Sequence, residues 1–173
     1  MCLNNWGGID HKVLEFHEYV NLFSGKSGSG KSTVMDAIQV ILYGSFSPSF
    51  LNKAADDAKN RRSVLSYLRG EQKDGSANRK DCDFCSVIAL EIEDTGTHII
   101  TCIGIAFEVR KSDSEIKKFV YFSHSGKMPE SEYLTEQGVC YSNQEIKKLV
   151  SARTKSDDNR GKGEVNRIYG SKE

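Results

Sequence analysis

Nine consecutive residues, Gly25-Lys26-Ser27-Gly28-Ser29-Gly30-Lys31-Ser32-Thr33, constrain the fold more than any other part of the chain. They satisfy G-x-x-x-x-G-K-[ST] and stand between an apolar extended pattern, Val20-Asn21-Leu22-Phe23, and an apolar helical one. A triphosphate concentrates several negative charges in a small volume. A glycine-rich turn that opens onto a helix N-terminus surrounds those charges with backbone N–H donors. Side chains at Gly25, Gly28 and Gly30 would obstruct that approach. Lys31 is the candidate catalytic residue, a point charge for the β- and γ-phosphates. The Ser32 hydroxyl is the candidate ligand of a magnesium ion that keeps most of its water. Thr33 reaches the remaining phosphates, and Lys26, Ser27 and Ser29 complete the cradle. ATP and Mg2+ are the implied cofactors.

The pattern around the loop predicts an α/β domain. Residues 1–24 read as short extended segments, among them Val13-Leu14-Glu15-Phe16 and Val20-Asn21-Leu22-Phe23, the second running straight into the loop. From Ser32 to Tyr43, Val34, Met35, Ala37, Ile38, Val40, Ile41 and Leu42 cover most of a helical circumference, which predicts a helix buried on nearly all sides and ended by Gly44. Residues 45–85 are loop-like, with one amphipathic piece from Arg61 to Leu68. Three strands are expected at Ser86–Glu93, His98–Arg110 and Lys118–Ser123, joined by Asp94-Thr95-Gly96 and Lys111-Ser112-Asp113-Ser114 as an antiparallel meander. A helix follows at Asn143–Ala152. Residues 1–152 make the domain; residues 153–173 are a polar tail with only Val165, Ile168 and Tyr169 to anchor it, expected to be disordered.

Hydrolysis needs more than the loop: a carboxylate on a second strand for magnesium, and a group that orients water. Glu91, at the end of Val87-Ile88-Ala89-Leu90, is the passable strand acid, but its alternation reads as a half-exposed antiparallel strand. A self-contained small P-loop enzyme, such as a kinase or a GTPase-like switch, would use Glu91 or Asp94 and would place the Glu91 strand parallel to the Phe23 strand. A transporter subunit would need a signature motif in the same chain. A third, non-enzymatic alternative is a module that uses ATP as structural glue.

Other features carry less. Between Lys53 and Lys80 eight basic residues face four acidic ones; Arg61, Arg62 and Arg69 are the candidate nucleic-acid contacts, with a solvated helix face as the plain alternative. Trp6 reads as core before it reads as an adenine contact. Cys82-Asp83-Phe84-Cys85 has the spacing of half a zinc site without a second half, so free thiols are expected. Five scattered cysteines make no disulfide framework and suit a reducing compartment. Equal numbers of basic and acidic residues, 24 each, exclude coating of nucleic acid or lipid by bulk charge. Apolar runs fall well short of the roughly 18 residues of a membrane span, and the first ten residues hold no signal-peptide core, so a cytoplasmic location is expected.

Residues Leu3 to Phe122 resemble the N-terminal half of the ATPase head of SMC-like chromosome-organising proteins, and within that group the MukB-like JetC (EptC) ATPases of the Wadjet anti-plasmid system. Three stretches carry the likeness: Leu3-Asn4-Asn5-Trp6; the loop running into Asp36-Ala37-Ile38-Gln39; and Leu51-Asn52-Lys53-Ala54-Ala55 followed by Arg61 to Gly70. The second is shared by the whole SMC, SbcC and MukB group. The resemblance implies an ABC-type head built from the two ends of a long polypeptide, with a coiled coil and hinge between them; the domain itself reads as a phosphate loop and its helix packed against a mixed sheet, with the 86–123 meander as the antiparallel lobe. Two heads would sandwich two ATP molecules. The implied partners are a second copy, a C-terminal half, kleisin-like subunits and DNA. The chain departs from the pattern by lacking a signature motif, a convincing second acidic motif and heptads, so the resemblance implies an N-terminal fragment with little turnover of its own. Ser27 stands where such loops usually carry Asn.

Overall fold

Alternation of apolar residues along the middle of the chain builds a sheet with two unlike faces. The computed structural model describes residues 1–46, 51, 63–72, 74–157 and 167–170. Its strands are β1 (Cys2–Trp6), β2 (Ile9–Val13), β3 (Phe84–Glu93), β4 (Ile100–Val109), β5 (Lys118–Ser125) and β6 (Arg167–Gly170). They lie in the order β2-β1-β3-β4-β5-β6, and every neighbouring pair is antiparallel.

Ile88, Leu90, Ile105 and Phe107 face α1 (Lys31–Tyr43) and α2 (Val64–Arg69), meeting Val34, Ala37 and Val40 of the first helix and Val64, Tyr67 and Leu68 of the second. Their neighbours in the strands, Val87, Ala89, Ala106, Val120 and Phe122, face the other way and are covered by Tyr133, Cys140 and α3 (Asn143–Asp157) through Ile146 and Val150. This is the period of two expected of strands buried on both faces. Asn5, at φ 56°, breaks the alternation in β1, so Leu3 and Trp6, three positions apart, both reach the α1 side.

Local chemistry fixes the helix ends. Gly44 closes α1 in a left-handed conformation, its N–H donating to the Val40 carbonyl. Ser63 caps α2 by accepting from Ser66 N–H. A reciprocal capping box starts α3: the Ser142 hydroxyl accepts from Glu145 N–H at 3.4 Å, and the Glu145 carboxylate accepts from Ser142 N–H at 2.7 Å.

The meander, the Gly44 stop, the amphipathic piece near residue 64 and the helix at residue 143 stand as expected. Four expectations do not. The sheet is antiparallel throughout the described strands rather than mixed, and Val20–Phe23, expected as a strand running into the loop, pairs with no strand among the described residues. Instead Gly7 and Gly8 turn the chain into a β1–β2 hairpin that the pattern from Leu3 does not announce. Helix α1 is buried on one side only; Met35, Leu42 and Tyr43 are 45%, 56% and 69% exposed. In the supposed tail, α3 continues to Asp157 and Arg167–Gly170 joins the edge of the sheet beside β5. No helix of the described residues is long and apolar enough to cross a membrane.

The α3 face also carries a buried titratable pair. His124 and Tyr133 are both fully buried and their Nε2 and hydroxyl lie 3.0 Å apart. Burial holds the His124 imidazole below the ordinary histidine value, with the nearby Arg153 acting in the same direction and the Ser125 carbonyl and Glu91 opposing. A histidine that resists protonation when folded is protonated first in the unfolded chain, which then binds more protons. Stability is therefore expected to fall as pH drops below about 6.5, where the unfolded imidazole begins to charge, until the folded one titrates as well. Thermal midpoints between pH 7.5 and 5 check this: His124→Phe should flatten the decline, and an unchanged slope in that variant would assign the effect to other groups.

Candidate phosphate-binding site

The loop from Gly25 to Gly30 is largely exposed and leads directly into α1. Gly28 and Gly30 hold φ of 83° and 89°, the left-handed region in which a Cβ is strained, and a Cβ at either would project into open space rather than against protein. Gly30 is the N-cap of α1, and no side chain caps the helix. The first-turn amides are thus presented to the space that the loop encloses, with the positive end of the helix dipole behind them.

Lys31 is folded over that space. Its Nζ donates to the Gly25 carbonyl at 2.7 Å, the Lys26 carbonyl at 3.0 Å and the Ser29 hydroxyl at 3.3 Å. The loop therefore closes around the ammonium, and a phosphate entering it would meet the lysine already at its mouth. Ser32, exposed, follows on the first turn of the helix, and Thr33 is half-buried beside it. All nine residues of the motif are brought together, and the donor set suits a polyphosphate: backbone N–H groups, the Lys31 ammonium and the Ser32 and Thr33 hydroxyls. Ser32 is the residue that would hold magnesium.

The other candidates lie elsewhere. Glu91 shares its side of β3 with Val87 and Ala89, the face turned to α3, so the sheet separates it from α1. Its carboxylate accepts from Met128 N–H at 2.6 Å. Asp94 accepts from Gly96 N–H, Thr97 N–H and the Thr97 hydroxyl, which closes the β3–β4 turn. With β3 antiparallel to both neighbours, the self-contained enzyme built on Glu91 or Asp94 loses its geometry. Arg69 donates to the carbonyls of Lys111 and Asp113 and ties α2 to the β4–β5 turn. Arg61 and Arg62 lie outside the described residues. Cys82 is exposed, the half-buried Cys85 thiol is pushed up to about 11 by burial, and no group of three metal-ligating side chains occurs among the described residues.

Residues that the motif does not include support the first turn of α1. Trp6, fully buried, donates from Nε1 to the Thr33 carbonyl at 2.9 Å and stacks on Tyr67 with centroids 5.1 Å apart and ring planes 6° from parallel. The Tyr67 hydroxyl donates to the buried Asp36 carboxylate. Arg79 donates to the carbonyls of Gly7 and Leu68 and pairs with Asp10 at 2.7 Å. A core role for Trp6 thus replaces the adenine contact. Nothing in local spacing links Trp6, Asp36, Tyr67 and Arg79; only the fold assembles them.

Residues 1–58 match the family described as the P-loop containing region of AAA domain. That stretch is similar to the N-terminal P-loop region of AAA-type ATPases. Over 72 residues the chain is 33% identical to SbcC, a component of the nuclease SbcCD, from Staphylococcus haemolyticus (strain JCSC1435), a match covering 39% of this chain and 6% of that protein. The chain therefore corresponds to a small part of that relative's length. The P-loop region supplies nucleotide binding, and its matched range ends beyond α1, so Trp6, the loop and Asp36 all fall inside it.

Proposed function

We propose that the chain is the N-terminal part of an SMC-like ATPase head that binds Mg–ATP and acts on DNA once a complementary C-terminal part completes it. One observation carries this reading: a complete phosphate loop is entered by a segment that has strand-forming residues and no strand partner among the described residues. Tyr19, Val20 and Leu22 are 80%, 77% and 88% exposed, and Phe23 alone of that segment packs on the α1 core. On the other side of the loop, Met35 and Leu42 stand one above the other on the outer face of α1. Apolar groups on both flanks of a ligand site are costly to leave in water, and pairing with a further strand and its side chains would cover them.

In this reading Gly25–Thr33 hold the nucleotide and Ser32 the magnesium. When bound, the metal supplies charge neutralisation across the phosphates. The group that orients water, and the second acid, come from outside the described residues. The partners are then the complementary half, a second head, kleisin-like subunits and DNA, with Arg61 and Arg62 as DNA contacts. The narrower assignment, to JetC-like ATPases of the Wadjet type, rests on Leu51–Ala55 and Arg61–Gly70 in sequence. Support for the broader one comes from the likeness to SbcC.

Turnover by the purified chain, with and without a candidate C-terminal half, tests the proposal. The chain alone should bind Mg–ATP and hydrolyse it slowly; the complement should raise the rate about 100-fold or more, the scale set by supplying charge-stabilising groups. Fast turnover by the chain alone would overturn it and return attention to a second acid within these residues.

A further inference from the structure

We infer that Trp6, Tyr67 and Asp36 form a positioning relay that sets the first turn of α1 for the metal–nucleotide complex, an inference that rests on the nucleotide-binding reading of the loop. The loop itself is largely exposed and is held by its own backbone and Lys31; Phe23 anchors its entry on the core, and the polar attachment at its exit comes through the helix that follows it. The Thr33 carbonyl, one residue after the magnesium-ligand candidate, accepts from the Trp6 indole. One turn further, Asp36 accepts from Tyr67, and the two aromatic rings lie flat against each other. The relay thus grips α1 at two successive points on one side, from a single rigid aromatic pair.

The pair is itself anchored. Gly7 N–H donates to the Tyr67 carbonyl at 2.9 Å, and the Gly7 carbonyl accepts from Arg79. Gly7 also lies so close to α1 that a Cβ there would come within 2.6 Å of the Thr33 Cγ2. Hairpin turn, α2 and helix start are therefore packed without slack around Thr33. Buried polar contacts of this kind add direction where apolar packing adds mainly strength. Orientation matters most for the Ser32 hydroxyl, because magnesium demands near-ideal octahedral geometry and tolerates little displacement of a ligand. Removing a group that orients a metal ligand costs about 10–100-fold in metal affinity.

The test uses the full chain and an N-methylanthraniloyl ATP analogue as probe, titrated with magnesium and again with EDTA. Tyr67→Phe keeps the ring stack and removes the donor to Asp36; Asp36→Ala removes the acceptor; Asp36→Asn keeps an acceptor oxygen. Tyr67→Phe and Asp36→Ala should each weaken magnesium-dependent binding about 10-fold while changing binding in EDTA much less. Asp36→Asn should recover most of the loss, and the double variant Asp36→Ala/Tyr67→Phe should be no weaker than the worse single one. A purely structural role would lower the thermal midpoint without changing the ratio of the two affinities, and that result overturns the relay. Should Tyr67→Phe fail to fold, Trp6→Phe, which keeps an aromatic ring and drops the donor to Thr33, reads the same ratio. A wild-type chain that binds no analogue in either buffer overturns the nucleotide reading and the relay with it; binding that all variants share equally overturns the relay alone.

Discussion

Replacing Lys31 with alanine will weaken Mg–ATP binding about 100-fold or more and leave the folded chain nearly as stable as before. A hydrogen bond to a charged group contributes about 1.5–3 kcal/mol, and an ammonium that reaches two phosphates makes two of them. Their sum corresponds to at least two decades in affinity. Stability is spared because the Lys31 ammonium touches only loop atoms, the Gly25 and Lys26 carbonyls and the Ser29 hydroxyl, at an exposed site. Calorimetric titration with Mg–ATP beside a thermal melt separates the two effects. Retained affinity in Lys31→Ala would mean that the loop amides alone hold the phosphates.

Gly104→Val should have the largest effect on stability, with no direct effect on the loop. Gly104 lies in the middle of β4, between Ala89 of β3 and Phe122 of β5. A Cβ there would come within 2.6 Å of the Ile88 carbonyl oxygen and within 2.6 Å of the Phe122 ring. The ring cannot swing aside freely, because Phe122 is buried against Tyr133 and stacked with His124. The backbone oxygen can move only by disturbing the central strand pair. Overpacking of a core costs about 1–3 kcal/mol for extra methylenes, and a branched side chain against fixed backbone belongs at or above the upper end. For a chain of this size about 3 kcal/mol lowers the thermal midpoint by roughly 6–12 °C. A midpoint within about 2 °C of wild type would show that the β3–β4–β5 centre is looser than its packing indicates.

How much of this is legible in the sequence depends on the distance over which each feature is specified. The loop is contiguous, and its glycines, lysine and hydroxyls appear in space as they do in the chain. The meander is nearly as local: the alternation of Ile88, Leu90, Ile103 and Ile105 and the turn residues at Asp94 and Gly96 settle register between adjacent strands. Helix ends are legible for the same reason, since Gly44 and Ser142 act within one turn. The failures are long-range. Val20 and Leu22 carry strand-forming side chains, yet a strand exists only where a partner offers hydrogen bonds, and the described residues offer none to that segment. Val34, Met35 and Leu42 look alike in a helical wheel, but tertiary packing buries the first and leaves the others exposed. The support of the site is invisible because Trp6 and Tyr67 stand far apart in the chain and meet only where α2 packs on β1.

The pairing of β1 with β3 bears on how the site comes together during folding. The β1–β2 hairpin and the β3–β4–β5 meander are joined through short connections, and each can close early at small entropic cost. Joining them requires β1 to find β3 across residues 14–83, the excursion that carries the loop, α1 and α2. Among the sheet contacts described, this closure spans the longest connection on the amino-terminal side and is the slow one on topological grounds. Trp6 sits at the end of β1, so its grip on Thr33 ties the hairpin to the start of α1 inside that excursion. Chains in which that contact is lost would carry the phosphate motif without its anchor.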